Sequence, residues 1–257
     1  MTFVDWYHSN QDWLMLVCMF ITLTVILSIF YILSKKGLDV FYTRKGVHIT
    51  AGSYIFFWLM ASDNIWTRWV ASIPALLTAL IFLLIGLKTI PGGFLVKSMS
   101  RTGEPFDLVK GTLIYAIIMS LICVFIWRDQ PWGLIVIMTI AWGDGIAPIA
   151  GKFLGKHKYR SIGGGEKSIE GSIAMFIVSV AFSYLIVYVF GIVLTGENWL
   201  WGYDQWPWLW GKILILVTVG TIAEGLSPTD IDNLVVPIVM ILITLTFQLN
   251  IFLNPLK

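Results

Sequence analysis

The chemistry-bearing residues of this sequence crowd into one stretch, AWGDGIAPIAGKFLGKHKYRSIGGGEKSIEGS, from Ala141 to Ser172. It holds Asp144, Lys152, Lys156, His157, Lys158, Arg160, Glu166, Lys167 and Glu170, spaced by Gly143, Gly145, Gly151, Gly155, Gly163, Gly164, Gly165 and Gly171. The chain around it is 58% hydrophobic and only 12% charged. Glycine lets backbone approach a ligand, and lysine brings a mobile positive charge. A carboxylate, glycines and several cations together suit a phosphate chain carrying a divalent metal. The expectation is a nucleotide site at a membrane surface.

Asp144 falls late in an apolar span, where a carboxylate is expensive and marks a functional position. Pro148 cannot donate to the Asp144 carbonyl, so a helix through here is expected to kink. Asp144, Pro148, Gly151 and Gly155 share one helical face. Gly151 and Gly155 also have the spacing of a helix-packing seam, although packing alone needs no aspartate.

The run Gly163-Gly164-Gly165-Glu166-Lys167-Ser168 is not a Walker A loop, because that motif requires GxxxxGK[ST]. Gly151-Lys-Phe-Leu-Gly155-Lys156-His157 fails the same test. Glycine N–H groups and the positive start of a following helix still favour phosphate. On a helix, Lys167 and Glu170 would meet and pair. Lys158 and Arg160 have a blander role open to them, anchoring on anionic lipid.

Glu224 precedes Ser227-Pro228-Thr229-Asp230 and Asp232-Asn233. Ser-Pro reads as an N-cap and first helical residue, with Asp230 as a capping partner. Three carboxylates and an amide exceed what a cap needs, and oxygen ligands suit Mg²⁺. Both readings stand. Arg44 or Lys45 could bind phosphate; His48, one turn further on, is either functional or a hydrogen-bonded interfacial histidine. Glu104, Asp107 and Lys110 read as a solvated loop.

These residues need elements to hold them. A soluble domain carries about 25% charged residues, about twice the share found here. Apolar spans at roughly 12–33, 45–61, 69–87, 111–127, 132–151, 169–194, 212–226 and 234–253 approach the length that crosses a bilayer. The expected class is all-α: a polytopic membrane protein of about eight transmembrane helices, with residues 1–257 as one integral membrane domain. The spans near 45–61 and 212–226 are short and carry polar residues. A membrane β-barrel would show short alternating segments, which are absent.

Lys35, Lys36, Arg44 and Lys45 follow the first span; Lys88, Lys97, Arg101 and Lys110 follow the third; Lys152, Lys156, Lys158, Arg160 and Lys167 follow the fifth. The other side has only Arg68, Arg128, Lys212 and Lys257. The positive-inside rule puts the chemistry-bearing loops in the cytoplasm and both termini on the opposite side. Cys18 and Cys123 lie in apolar runs without metal spacing and read as packing residues. The N-terminus has no basic region of a cleaved signal. Residues 195–211 are Trp-rich, as suits a headgroup-level anchor.

Taken together, Arg44-Lys45-x-x-His48-x-x-x-Gly52, the loop from Glu104 to Gly111 leading to Tyr115, Gly143-Asp144 with Gly151, Gly155 and Lys156, Lys167-Ser168-x-Glu170-Gly171-Ser172, and Glu224…Asp232-Asn233…Pro237 resemble the membrane CTP-dependent lipid-alcohol kinases. That group comprises phytol, farnesol and dolichol kinases with CTP-dependent diacylglycerol kinase relatives. The centre also looks like the CDP-diacylglycerol synthases, but their usual C-terminal signature is missing. The resemblance implies transfer of the γ-phosphate of CTP to a polyprenol, dolichol or phytol-type alcohol. It implies Mg²⁺ on Asp144, Glu224, Asp230 and Asp232. Gly151, Lys152, Gly155, Lys156, Lys167, Ser168 and Glu170 would hold the phosphates. Arg44 and Lys45 would stabilise the transferring group, with His48 or Asp144 as base. Phosphoryl transfer needs charge neutralisation and positioning more than covalent chemistry, so the residue types agree.

The expected partners are CTP, the lipid alcohol and membrane lipid, with no nucleic acid; oligomeric state is left open. Two other readings remain. One is a cytidylyltransferase making a CDP-lipid and pyrophosphate. The other is a transporter, which would need polar residues at mid-membrane on several spans.

Overall fold

The computed structural model describes residues 3–194, 206–228 and 231–253. They divide into two compact units, Met1–Arg128 and Asp129–Lys257. Asp230 and residues 195–205 of the Trp-rich loop lie outside the described residues.

The first unit opens with α1 (Phe3–Lys35). Asp39 then caps α2 (Val40–Gly52): its Oδ1 accepts the Phe41 N–H at 2.7 Å. Such a cap contributes about 1 kcal/mol. The helix runs directly into a 3-10 segment, Ser53–Met60. Next come α3 (Thr67–Gly86), α4 (Gly93–Met99) and α5 (Ile114–Phe125), the last entered through a π turn at Val109–Leu113. Val47, Phe82, Ile85, Met99 and Leu108 form a shared core that fixes α2 against α3 and α4. A Cβ on Gly46 would sit 2.2 Å from the Phe30 ring, so α1 and α2 touch. Arg128 is 5% exposed and ends the unit by donating to the carbonyls of Trp58 (2.6 Å), Ala61 (2.8 Å) and Ser62 (3.3 Å) and to Asp63 (3.0 Å).

The second unit is built on one long helix. It comprises α6 (Pro131–Met138), a π turn (Thr139–Gly143) and α7 (Asp144–Leu154). Residues 131–141 are all buried. A helix that is apolar on every side belongs at the centre of its bundle. Packed round it are α8 (Ile169–Val193) and α10 (Asp232–Leu253), while Gly220 of α9 (Trp206–Leu226) faces Thr139. Between α7 and α8 stands a hairpin of β1 (Lys158–Arg160) and β2 (Glu166–Ser168), antiparallel, with Tyr159 opposite Lys167. Gly164 makes its turn at φ +80°, a conformation that suits glycine.

The all-α, multi-pass architecture is as expected. Among the described residues five helices are long and apolar enough to cross a membrane: Asp5–Lys35, Thr67–Gly86, Pro131–Leu154, Ile169–Val193 and Trp208–Leu226. Val109–Phe125 and Asp232–Phe247 are shorter apolar helices. The expected span at 45–61 is α2 plus the 3-10 segment; laid end to end they rise roughly 35 Å, because 3-10 backbone rises more steeply. The expected span at 212–226 starts earlier, at Trp206.

Candidate active site: a buried carboxylate cluster

Asp144, Glu224 and Asp232 meet in the second unit. Each offers one carboxylate oxygen, and the three oxygens lie within 4.8 Å of one another. The residues are 4%, 6% and 8% exposed. Three different elements deliver them. Asp144 opens α7 directly after the π turn, a feature that often marks functional sites. Glu224 lies in the last turn of α9, and Asp232 is the first residue of α10, where its Oδ1 accepts the Asn233 N–H at 2.9 Å. Sequence separation of some ninety residues thus closes to a few ångströms.

Close approach of α7 and α8 makes this possible. A Cβ on Gly171 would lie 2.7 Å from the Ala147 carbonyl oxygen, and one on Gly143 would lie 2.0 Å from Ser179 Oγ. Trp142 stacks on Phe182 with ring centroids 3.8 Å apart. Ser168 caps α8, its Oγ accepting the Gly171 N–H at 3.1 Å. That same Oγ sits 2.8 Å from where a Cβ of Gly151 or Gly155 would be. A Cβ on Gly155 would also lie 2.2 Å from the Gly151 carbonyl oxygen, so neither position has room for a side chain.

The hairpin reaches over to the end of α9. Strand alternation puts Tyr159 and Lys167 on its inner face and leaves Lys158, Arg160 and Glu166 exposed. The Tyr159 hydroxyl hydrogen-bonds Ser172 Oγ at 2.7 Å and lies 2.8 Å from where a Cβ on Gly225 would be. The Ile162 N–H donates to the Leu226 carbonyl at 2.9 Å. Lys167 Nζ donates to Glu224 Oε1 at 2.7 Å and to the Glu224 backbone carbonyl. The two side chains are 10% and 8% exposed.

This donor set fits a hard divalent cation. Unit negative charges 4.8 Å apart repel by roughly 3.5 kcal/mol at an effective dielectric constant near 20. Lys167 offsets one of the three carboxylates. Three converging carboxylate oxygens are the ligand type that Mg²⁺ takes.

The other expected residues fall as follows. Lys152 and Lys156 are exposed, on and just after the last turn of α7. Glu170 pairs with His157, not Lys167: His157 Nδ1 lies 2.7 Å from its Oε1, and the His157 N–H donates to both oxygens at 3.2 Å. The reason is local. Lys167 is on a strand, so helical spacing does not apply to it. Ser227 is not an N-cap; it ends α9, its Oγ donating to the Glu224 carbonyl at 3.0 Å, and α10 starts only at Asp232. Arg44, Lys45 and His48 are half-buried on α2 of the first unit. There the His48 ring packs at a tilt of 38° against Tyr115, centroids 4.1 Å apart.

Sequence reasoning missed Tyr159 and the hairpin. The signal was present: two short polar runs flanking a glycine-rich link of five residues read as a hairpin.

No family model and no solved structure matches the chain. Curated proteins do. The chain is 31% identical over 227 residues to probable phytol kinase 2, chloroplastic, of Oryza sativa subsp. japonica, covering 85% of this chain and 70% of that protein. It is 32% identical over 207 residues to phytol kinase 1, chloroplastic, of Arabidopsis thaliana, covering 78% and 64%. It is 30% identical over 210 residues to farnesol kinase, chloroplastic, of Arabidopsis thaliana, also covering 78% and 64%. The chain thus spans about two thirds of the length of these relatives. With that identity across most of its length, the chain belongs to the lipid-alcohol kinase family of the phytol and farnesol kinases.

Proposed function

We propose that this protein transfers the γ-phosphate of CTP to the hydroxyl of a membrane isoprenoid alcohol, of phytol, polyprenol or dolichol type, giving the lipid monophosphate. The single observation that supports this best is the meeting of Asp144, Glu224 and Asp232, with Lys167 paired to Glu224. Phosphoryl transfer relies on positioning and on neutralising phosphate charge, and these residues offer both. The names of the relatives support a lipid alcohol as acceptor. CTP as donor is our extension of the resemblance.

In this reading Asp144, Glu224 and Asp232 hold Mg²⁺, with Asp230 as a further candidate; bound there, the ion would neutralise phosphate charge. Lys167, Lys152 and Lys156 hold the phosphate oxygens, and the Gly151, Gly155, Ser168 and Glu170 framework keeps them in place. Arg44 and Lys45 are assigned to the transferring phosphate, and His48 or Asp144 to the acceptor proton; substitution decides each. The cation-rich loops face the cytoplasm and both termini lie opposite.

The test is purified protein with γ-labelled CTP or ATP and a panel of phytol, farnesol, polyprenols and diacylglycerol. Label in an isoprenoid phosphate, with CTP preferred, is the expected result. Label in pyrophosphate would make the protein a cytidylyltransferase instead.

A further inference from the structure

Lys167 occupies a position that a phosphate-binding lysine need not have. Its ammonium is on a metal-candidate carboxylate, 2.7 Å from Glu224 Oε1, and also bonds the carbonyl of the same residue. Two bonds to one residue, both side chains about nine-tenths buried, make a preferred resting place. The other two carboxylates offer oxygens within 4.8 Å of Glu224's. A positive charge resting there repels any dication that approaches the cluster.

We propose that Lys167 is the resident counter-ion of the carboxylate cluster, displaced from Glu224 only when a divalent cation and a nucleotide triphosphate tail arrive together. The cation takes over the Glu224 oxygen, and the ammonium turns to a phosphate oxygen. Neither partner alone completes the exchange. The metal alone meets a repelling ammonium. The phosphate alone must draw the ammonium off the two bonds that hold it to Glu224. Metal and nucleotide therefore bind with positive coupling, and by linkage each tightens the other equally.

The exchange needs only side-chain rotation. The hairpin that carries Lys167 is clamped by the Ile162–Leu226 and Tyr159–Ser172 bonds and by Gly163, whose Cβ would lie 2.5 Å from Pro228. The lysine stem moves while its strand stays.

This inference rests on the metal-nucleotide reading above, and one experiment separates the two. Mn²⁺ binding is followed by electron paramagnetic resonance on the purified chain, with and without a CTP analogue whose β–γ bridge is a methylene. In the wild type, Mn²⁺ alone binds weakly and tightens with the analogue. Lys167→Met binds Mn²⁺ alone at least about tenfold more tightly than the wild type, roughly 1.4 kcal/mol, and loses affinity for the analogue. If Lys167→Met binds Mn²⁺ alone no better than the wild type, the exchange is wrong. If the wild type holds no Mn²⁺ even with the analogue, the metal-nucleotide reading falls with it. Should Lys167→Met not survive purification, Lys167→Arg decides. Arginine keeps its charge on Glu224, so nucleotide-free Mn²⁺ binding stays as weak as in the wild type; tight binding contradicts the proposal.

Discussion

Lys167 and Glu224, fifty-seven residues apart in the chain, form a buried ion pair of 2.7 Å at the end of α9. Removing one partner of such a pair destabilises a protein by about 3–5 kcal/mol, because the other charge is left buried. Lys167→Met should therefore lower the unfolding temperature in metal-free detergent solution. Lys167→Met/Glu224→Gln should recover at least half of that loss, since it also removes one of three repelling carboxylates. A double variant no more stable than Lys167→Met would show that the pair contributes little.

The seam between α7 and α8 leaves no room at Gly171. A methyl there would meet the Ala147 carbonyl oxygen at 2.7 Å and Ser168 Oγ at 3.0 Å. Backbone cannot step aside as a side chain does, so Gly171→Ala should destabilise by about 1–3 kcal/mol. Asp144 is one helical turn from Ala147, so turnover should fall as well. Thermal unfolding and label transfer on the same preparation check both effects.

Arg128 satisfies three carbonyls where the 3-10 segment ends. A lysine is a point charge and cannot span them. Arg128→Lys should destabilise the protein by about 2–3 kcal/mol despite conserving charge. Hydrogen exchange should rise at residues 58–63 before it rises in the second unit.

Asp107 gives a pH dependence. Partial burial raises its pKa, but the Thr102 hydroxyl and N–H and the Ser100 hydroxyl outweigh this and hold it below the ordinary value. A carboxylate lowered on folding stabilises fully above its unfolded pKa of about 4 and loses that contribution as pH falls through the folded value. Acidification below about pH 4 should loosen the Ser100–Asp107 loop in the wild type. Asp107→Asn should lack that acid-dependent part of the unfolding profile.

Much of this was legible in the residues. Hydropathy marked the long helices, because lipid demands unbroken apolar runs. Asp144, Glu224 and Asp232 stood out because carboxylates are expensive at the ends and interiors of such runs. What sequence hides is direction. Nothing in the spacing of Lys167 says that it turns from Glu170, three residues away, to Glu224; a strand register decides that. Nor does GxxxG spacing reveal what it faces. Gly151 and Gly155 face the cap of α8, which only tertiary contact defines. The 3-10 backbone at Ser53–Met60 was invisible too, because apolar periodicity over eight residues does not separate helix types.

The most direct measurement is transfer of label from γ-labelled CTP to phytol by the wild type and by Asp144→Asn, both purified and shown to be folded. The wild type should move label into a lipid phosphate. Asp144→Asn, which keeps the shape but loses the charge, should fall by at least about a hundredfold with little change in unfolding temperature. Near-wild-type transfer by Asp144→Asn would contradict the assignment of the buried carboxylate cluster as the active site.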